Sequence, residues 1–432
     1  MKRYAVSVDG AAFPSGAYDQ AITVRSKPTA PNVVFHGQDI VNAIGRPLRA
    51  DEDDWLDLLQ AIFVSDLVCR RGRNEDFNRQ IVLALPLRNP GRISPLLPQI
   101  QELFGRLTHD ALQILVSPDL LPVASRYPTQ RVAPIDAVAL LSGGLDSACA
   151  AAGVLQEAAH PCFVASRASP HVIRAQNAVA AALGTRYGCQ VKLTGFKVEL
   201  RHKHEVAPLP ESDLTQRSRT LLFAGVAATI AAARGIAAVT LGENGVMAIN
   251  CPLTPGRVAA FSTHTAHPDV LALMGQVFST VLAAPIEVRN PLLPKTKSDV
   301  VADLVAAGLA HLVPQTHSCW IARNATHCGA CVPCIVRRIA VEIAKTGDAP
   351  YARDSFSDPS GAGDDRFGNI IDYLFFASTI NSLSNDELLL EFGELNVEGG
   401  APAYLPILNT HRRWAKDVFA VANAHPPLAQ LL

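Results

Sequence analysis

The 432-residue sequence contains no uncharged apolar run of about 18 or more residues, which leaves no candidate for a membrane-spanning helix. Its first residues, MKRYAVSVDGAAFPSG, lack the apolar centre and small-residue cleavage site of a secretory leader. Both absences point to a cytoplasmic protein. Charge of one sign is missing too. Lys and Arg number 38 against 39 Asp and Glu, which removes the global field expected of a nucleic-acid or anionic-membrane binder. No basic stretch is interleaved with aromatics, which argues against RNA bases as the substrate. There is no internal repeat, no GxxxxGK(S/T) loop and no GxGxxG fingerprint. Any phosphate the chain handles must therefore be met locally.

Length implies about two to three domains. Residues 1–130 read as an α/β unit of their own. YAVSV, AITVRS and PNVVFHG have strand character, and DEDDWLDLLQAIFVSDLVCRR places Trp55, Leu58, Leu59, Ile62 and Phe63 on the core face of a helix. Its leading acids suit the helix N-terminus. QIVLALPL, ISPLLPQIQELFGRLT and ALQILVSP follow as strand, helix and strand. The proline-rich PDLLPVASRYPTQRVAPIDA marks a border. Beyond it AVALL, CFVAS, VKLTGFKVEL, AAVTLG and IEVRNPL alternate with helical stretches, the pattern of a doubly wound, mostly parallel sheet over residues 135–345. Residues 346–432 read as a helical C-terminal layer, with apolar faces in FGNIIDYLFFASTINSL and THRRWAKDVFAVANA.

In VALLSGGLDSACAAAGVL, SGGLDS joins a buried strand to an alanine-rich helix. Backbone amides and a helix N-terminus can face an anion at such a turn. Gly143 and Gly144 let a phosphate approach the main chain, with Leu145 opening the helix, while Ser142 and Ser147 add hydroxyl donors. Asp146 repels phosphate unless it caps the helix or holds a cation such as Mg²⁺. A plain Gly-Gly turn capped by Asp or Ser is the competing reading.

SCWIARNATHCGACVPCIVRR spaces Cys319, Cys328, Cys331 and Cys334 as C-x8-C-x2-C-x2-C. Four thiolates at these intervals can close a tetrahedron around Zn²⁺ with no open position, a structural site, with His317 and His327 as neighbours. Iron in the same site, a redox pair from Cys328 and Cys331, and four incidental buried cysteines are the alternatives. The other five cysteines read as small core side chains.

SGGLDS resembles the PP-loop of the ATP pyrophosphatases, which split ATP into AMP and pyrophosphate. Joined to the four-cysteine knuckle about 170 residues later, it resembles the QueC family, cyano-deazaguanine synthases, over residues 135–343. The resemblance implies a PP-loop fold using ATP with Mg²⁺, adenylation of a carboxy-deazaguanine, and ammonia as amine. It makes Arg219 of RSRTLLFAGVAA and Lys297 of PLLPKTKSDVV phosphate-binding and catalytic candidates beside Ser142 and Asp146. Gly242, Glu243 and Asn244 of LGENG become candidates to read a purine-like ring, and His264 and His267 of STHTAHPDVL acid-base or purine contacts. The family's acidic and arginine-bearing substrate stretch is not recognisable in VMAINCPLTPGRVAAF. Long members of this build resemble those of antiphage operons, QatC of the Qat system and the QueC-like protein of type IV CBASS. By that resemblance the acceptor is an amine of a partner protein. Nitrile synthesis with ammonia, modification of a tRNA base, and a nucleotide-binding sensor or scaffold without turnover remain the other readings.

Overall fold

The strand-like runs of the sequence pair into a single sheet in the computed structural model, which describes residues 1–8, 13, 15–24, 31–71, 78–118, 134–203, 208–213, 216–253, 263–321, 326–359 and 368–432. The strands are β1 (Lys2–Val8), β2 (Gln20–Val24), β3 (Val33–His36), β4 (Gln80–Leu87), β5 (Ala111–Pro118), β6 (Ala137–Leu140), β7 (Pro161–Ser166), β8 (Leu193–Leu200), β9 (Ala238–Thr240) and β10 (Glu287–Arg289). Their spatial order is β10-β9-β6-β7-β8-β3-β2-β1-β4-β5. Every pairing is parallel except β3 with β8. Parallel strands covered by helices on both faces carry near-continuous apolar runs, and QIVLALPL is buried at every position after Gln80.

The strand order places the functional crevice. From β6 the chain winds outward through β7 and β8, then returns to the other side of β6 for β9 and β10. That reversal leaves an opening beyond the carboxyl end of β6, where doubly wound sheets bind ligands. SGGLDS occupies it, between β6 and the helix Leu145–Glu157.

The strands of residues 1–130 join this sheet. Val33 to His36 pair antiparallel with Leu200 to Lys197, and one apolar core runs from Tyr4 and Trp55 to Val288. Without β3 the edge of β8 would expose unpaired backbone groups, which the added strands cover. The helix Ala50–Val68 has no solvent face: it is buried on all sides from Glu52 onward. Its acids pair with arginines, Asp53, Asp54 and Asp57 lying 3.6, 3.2 and 3.3 Å from Arg88. Removing one partner from such a buried cluster costs about 3–5 kcal/mol.

Beyond residue 345 the helices Gly368–Ser382 and Ala401–Ala424 enclose a second core. It includes Val332, Ile335 and Ile339 of the helix Val332–Ile343. Trp414 donates to the Tyr373 hydroxyl at 2.6 Å inside it. The proline-rich border lies outside the described residues from 119 to 133, as do residues 254–262 and 360–367.

Candidate active site

The serines and glycines of the loop hold one another. Ser142 Oγ donates to Ser147 Oγ at 2.9 Å, the Ser142 amide donates to the same oxygen at 3.2 Å, and Ser147 Oγ reaches the Gly144 carbonyl at 3.1 Å. Gly143 has φ +87°, and a Cβ there would lie 2.9 Å from the Gln176 nitrogen in the helix Pro170–Tyr187. Only glycine fits both the angle and the gap. Gly144 is the N-terminal flank of the helix Leu145–Glu157, and no side chain caps it. The capping role open to Asp146 or Ser147 is thus not what they do, and no side chain takes the first amides of this helix.

Asp146 serves instead as a hub. Lys297 Nζ lies 2.7 Å from its Oδ2 and Asn244 Nδ2 donates to the same oxygen at 3.1 Å. Burial opposes its ionisation, but the Lys297 charge, with Glu243 and Asn244, holds its carboxyl below the usual range. Glu243 moves the other way. Burial first, then the Asp146 charge, push it up to about 8. Asp146 Oδ1 is buried with no N–H or hydroxyl donor directed at it. Two facing carboxyls with an orphaned oxygen either share a proton or take a divalent cation, so the donor set fits Mg²⁺.

The LGENG turn is built against the loop. A Cβ on Gly242 would lie 2.6 Å from the Asp146 carbonyl, so β9 can approach only because this residue has no side chain. Asn244 also accepts from the Met247 amide at 3.3 Å, starting the helix Gly245–Ile249. Glu243 is fixed through its backbone: its amide donates to Asn290 Oδ1 at 3.1 Å, and Asn290 Nδ2 donates to its carbonyl at 2.8 Å. Asn290 carries no motif signal, and sequence reasoning missed it. Arg219 opens the helix Arg219–Arg234 with an exposed side chain, close enough to Glu243 for each charge to be felt by the other. Thr296 and Asp299 form a reciprocal cap around the start of the Lys297 helix, Lys297–Ala306. From the C-terminal layer, Arg413 donates to the Pro294 carbonyl at 2.6 Å and lies 3.2 Å from Asp299.

His264 and His267 do not join this cluster directly. They form a row with His109 of the N-terminal layer, ring centroids 5.5 and 5.7 Å apart, and His267 Nε2 bonds the Glu394 carbonyl at 2.9 Å. Burial and the two neighbouring histidines push His264 down to about 4.

The four cysteine sulfurs gather within 4.8 Å of one another. A zinc ion with bonds of about 2.3 Å needs sulfurs about 3.8 Å apart. Cys319–Cys331, Cys328–Cys334 and Cys331–Cys334 stand at 3.9, 3.8 and 3.4 Å, so the set fits zinc. Amides of Ile321 and Cys328 point at Cys319 Sγ, and those of Ala330 and Cys331 at Cys328 Sγ. Gly329, at φ +81°, leaves 2.0 Å between its would-be Cβ and the Arg353 carbonyl. His317 and His327 stack at 5.5 Å beside the cluster and are not among its ligands. The knuckle also reaches the phosphate loop, because the His317 amide donates to the Gly143 carbonyl at 3.0 Å. Buried Arg337 braces that link through Thr316 Oγ1 at 2.7 Å and Asp348.

Comparison with known proteins agrees with this geometry. Residues 136–345 match the family described as queuosine biosynthesis protein QueC. A 7-cyano-7-deazaguanine synthase from Synechococcus elongatus is 31% identical over 214 residues, covering 46% of this chain and 88% of that protein. One from another Synechococcus strain shows the same identity and coverage. A glycine-serine loop between strand and helix, a carboxylate and lysine paired at it, and a four-cysteine cluster tied to its back thus fall together in the matched segment, and the chain belongs to the QueC family.

Proposed function

We propose that the chain is an ATP-dependent carbon-nitrogen ligase that adenylates the carboxylate of a carboxy-deazaguanine and passes the acyl group to an amine of a partner protein, in antiphage defence. The observation that carries the activation step is the Lys297–Asp146 pair at the mouth of the Ser142–Ser147 loop. The backbone amides at Gly143 to Leu145 and the Ser142 hydroxyl would hold the phosphates, and Lys297 and Arg219 would offset the charge that develops on pyrophosphate. Mg²⁺, held by Asp146 and Glu243, would withdraw charge from the phosphate oxygens.

The chemistry balances in two displacements. A substrate carboxylate oxygen attacks the α-phosphorus of ATP, forming an acyl adenylate as pyrophosphate leaves. The amine nitrogen then attacks the acyl carbon, AMP leaves, and the amine gives up a proton as the amide forms. Holding carboxylate and α-phosphorus in line supplies much of the acceleration. The protein acceptor is argued from layout: the layers outside residues 136–345 have no counterpart in the matched segment, and they give a partner a place to dock.

A second reading, favoured by the likeness to 7-cyano-7-deazaguanine synthases, replaces the protein amine with ammonia and continues from amide to nitrile. Purified protein incubated with ATP, Mg²⁺, carboxy-deazaguanine and either ammonium or operon-encoded partner protein separates the two. Mass added to the partner is the expected result. A free amide or nitrile with ammonium alone, and an unmodified partner, overturns the ligase reading in favour of nitrile synthesis.

A further inference from the structure

The segment that leads into Arg219 is anchored almost entirely in the N-terminal layer. The Asp213 amide donates to the Leu67 carbonyl at 2.7 Å, and the Arg71 amide donates to Asp213 Oδ2 at 2.9 Å. Arg217, buried, donates to the Thr108 carbonyl at 2.9 Å. At Ser218 both the hydroxyl and the amide donate to Asp66 Oδ2, at 2.7 and 3.0 Å. Asp66 is fully buried and its other oxygen is taken by Arg79, which also binds Asp110 at 2.6 Å. The helix that follows packs on the same layer: a Cβ on Gly225 would lie 2.5 Å from Leu59 Cδ1, so the two helices touch at a glycine.

Ser218 flanks the helix Arg219–Arg234 with no side-chain cap of its own. Asp66, 152 residues away in sequence, takes the amide of Ser218, the donor that a Glu or Gln at the third helical position takes in a capping box. This buried carboxylate, held by Arg79 with Arg71 at 4.0 Å, fixes where the helix begins. The first residue after that point is Arg219, whose guanidinium lies 6.0 Å from the Phe223 ring of the same helix and whose charge and that of Glu243 act on each other.

We propose that the N-terminal layer is a positioning element for nucleotide binding, in which Asp66, acting through Ser218, sets the placement of Arg219 against the phosphates. This rests on the adenylating role proposed above. Asp66 and Ser218 are positioning residues and Arg219 is the contact.

A double-mutant cycle tests it in the full-length protein with a non-hydrolysable ATP analogue and Mg²⁺, read by calorimetry. Ser218→Ala removes one hydrogen bond to a carboxylate and leaves the Asp66–Arg79–Asp110 cluster whole. The expected result is weaker binding by about 10-fold in Ser218→Ala and in Arg219→Ala, with less than about 2-fold further loss when Ser218→Ala is added to Arg219→Ala. Equal losses from Ser218→Ala in both backgrounds, unchanged binding in Ser218→Ala, or unchanged binding in Arg219→Ala each overturn the positioning role while leaving adenylation intact. Failure of the wild-type protein to bind the analogue overturns the adenylating role itself.

Discussion

Lys297 and Asp146 stand 151 residues apart in sequence and 2.7 Å apart in space, with the ammonium on Oδ2 of the carboxylate. The lysine begins one helix and the aspartate sits in the first turn of another, so two helix N-termini converge on the loop. In the proposed adenylation, Lys297 would pass from Asp146 to pyrophosphate as Mg²⁺ takes the carboxylate.

Lys297→Met removes that cation and leaves Asp146 facing Glu243. Pyrophosphate release is expected to fall by about 100-fold or more, the scale seen when one preorganised charge donor is lost. A rate within a few-fold of wild type would show that the lysine serves structure alone.

Gly242→Ala tests the close approach of β9 to the loop. The new methyl would sit 2.6 Å from the Asp146 carbonyl and 2.7 Å from Ala150 Cβ, both inside packed helix. A displacement of the loop of order 1 Å can cost about 100-fold in rate. Turnover should collapse more than the unfolding temperature does. Wild-type turnover in this variant rules out the proposed contact.

Zinc removal should reach the nucleotide site. The knuckle is tied to the phosphate loop by the His317 amide on the Gly143 carbonyl, so chelation or Cys334→Ser is expected to release zinc, lower the melting temperature and weaken nucleotide binding together. Zinc loss measured by a metallochromic dye with unaltered nucleotide affinity would disconnect the two.

The C-terminal layer has its own pH response. His411 is completely buried in the helix Ala401–Ala424; burial pushes it down to about 4 despite the bond from Nδ1 to the Ile407 carbonyl. An unfolded histidine takes up a proton near pH 6.5 while the folded one refuses it until about 4, so its contribution to stability is intact above 6.5 and declines as pH falls toward 4. Thermal melts at pH 7 and pH 5 should differ less in His411→Gln than in wild type. An identical pH dependence would place the sensitivity elsewhere.

Much of the site was legible because its chemistry is local. SGGLDS carries its glycines, serines and aspartate within six residues, and a turn between strand and helix follows from the flanking apolar and alanine-rich runs. The cysteine spacing likewise states a tetrahedron. What was not legible is where lone residues go. That Asn244 binds Asp146, with Glu243 adjoining it, has no signal in LGENG itself. Asn290 and Arg337, which brace the turn and the knuckle, are an isolated amide and one of many arginines. The acids of DEDDWLDLL read as a helix-start signal, and their arginine, Arg88, comes from beyond β4.

The sequence by itself determined the local devices: the glycine-serine turn, the four-cysteine set, the alternation of strand and helix, and the near-neutral charge. These follow from residue type and short spacing, which act over a few bonds. Tertiary structure decided that the N-terminal strands extend the same sheet through β3 and β8, that Asp66 holds the start of the Arg219 helix, and that Lys297 lands on Asp146. Each of those depends on burial of a charge or a sheet edge against residues more than a hundred positions away, and low-dielectric pairing at that range leaves no periodic trace in the chain.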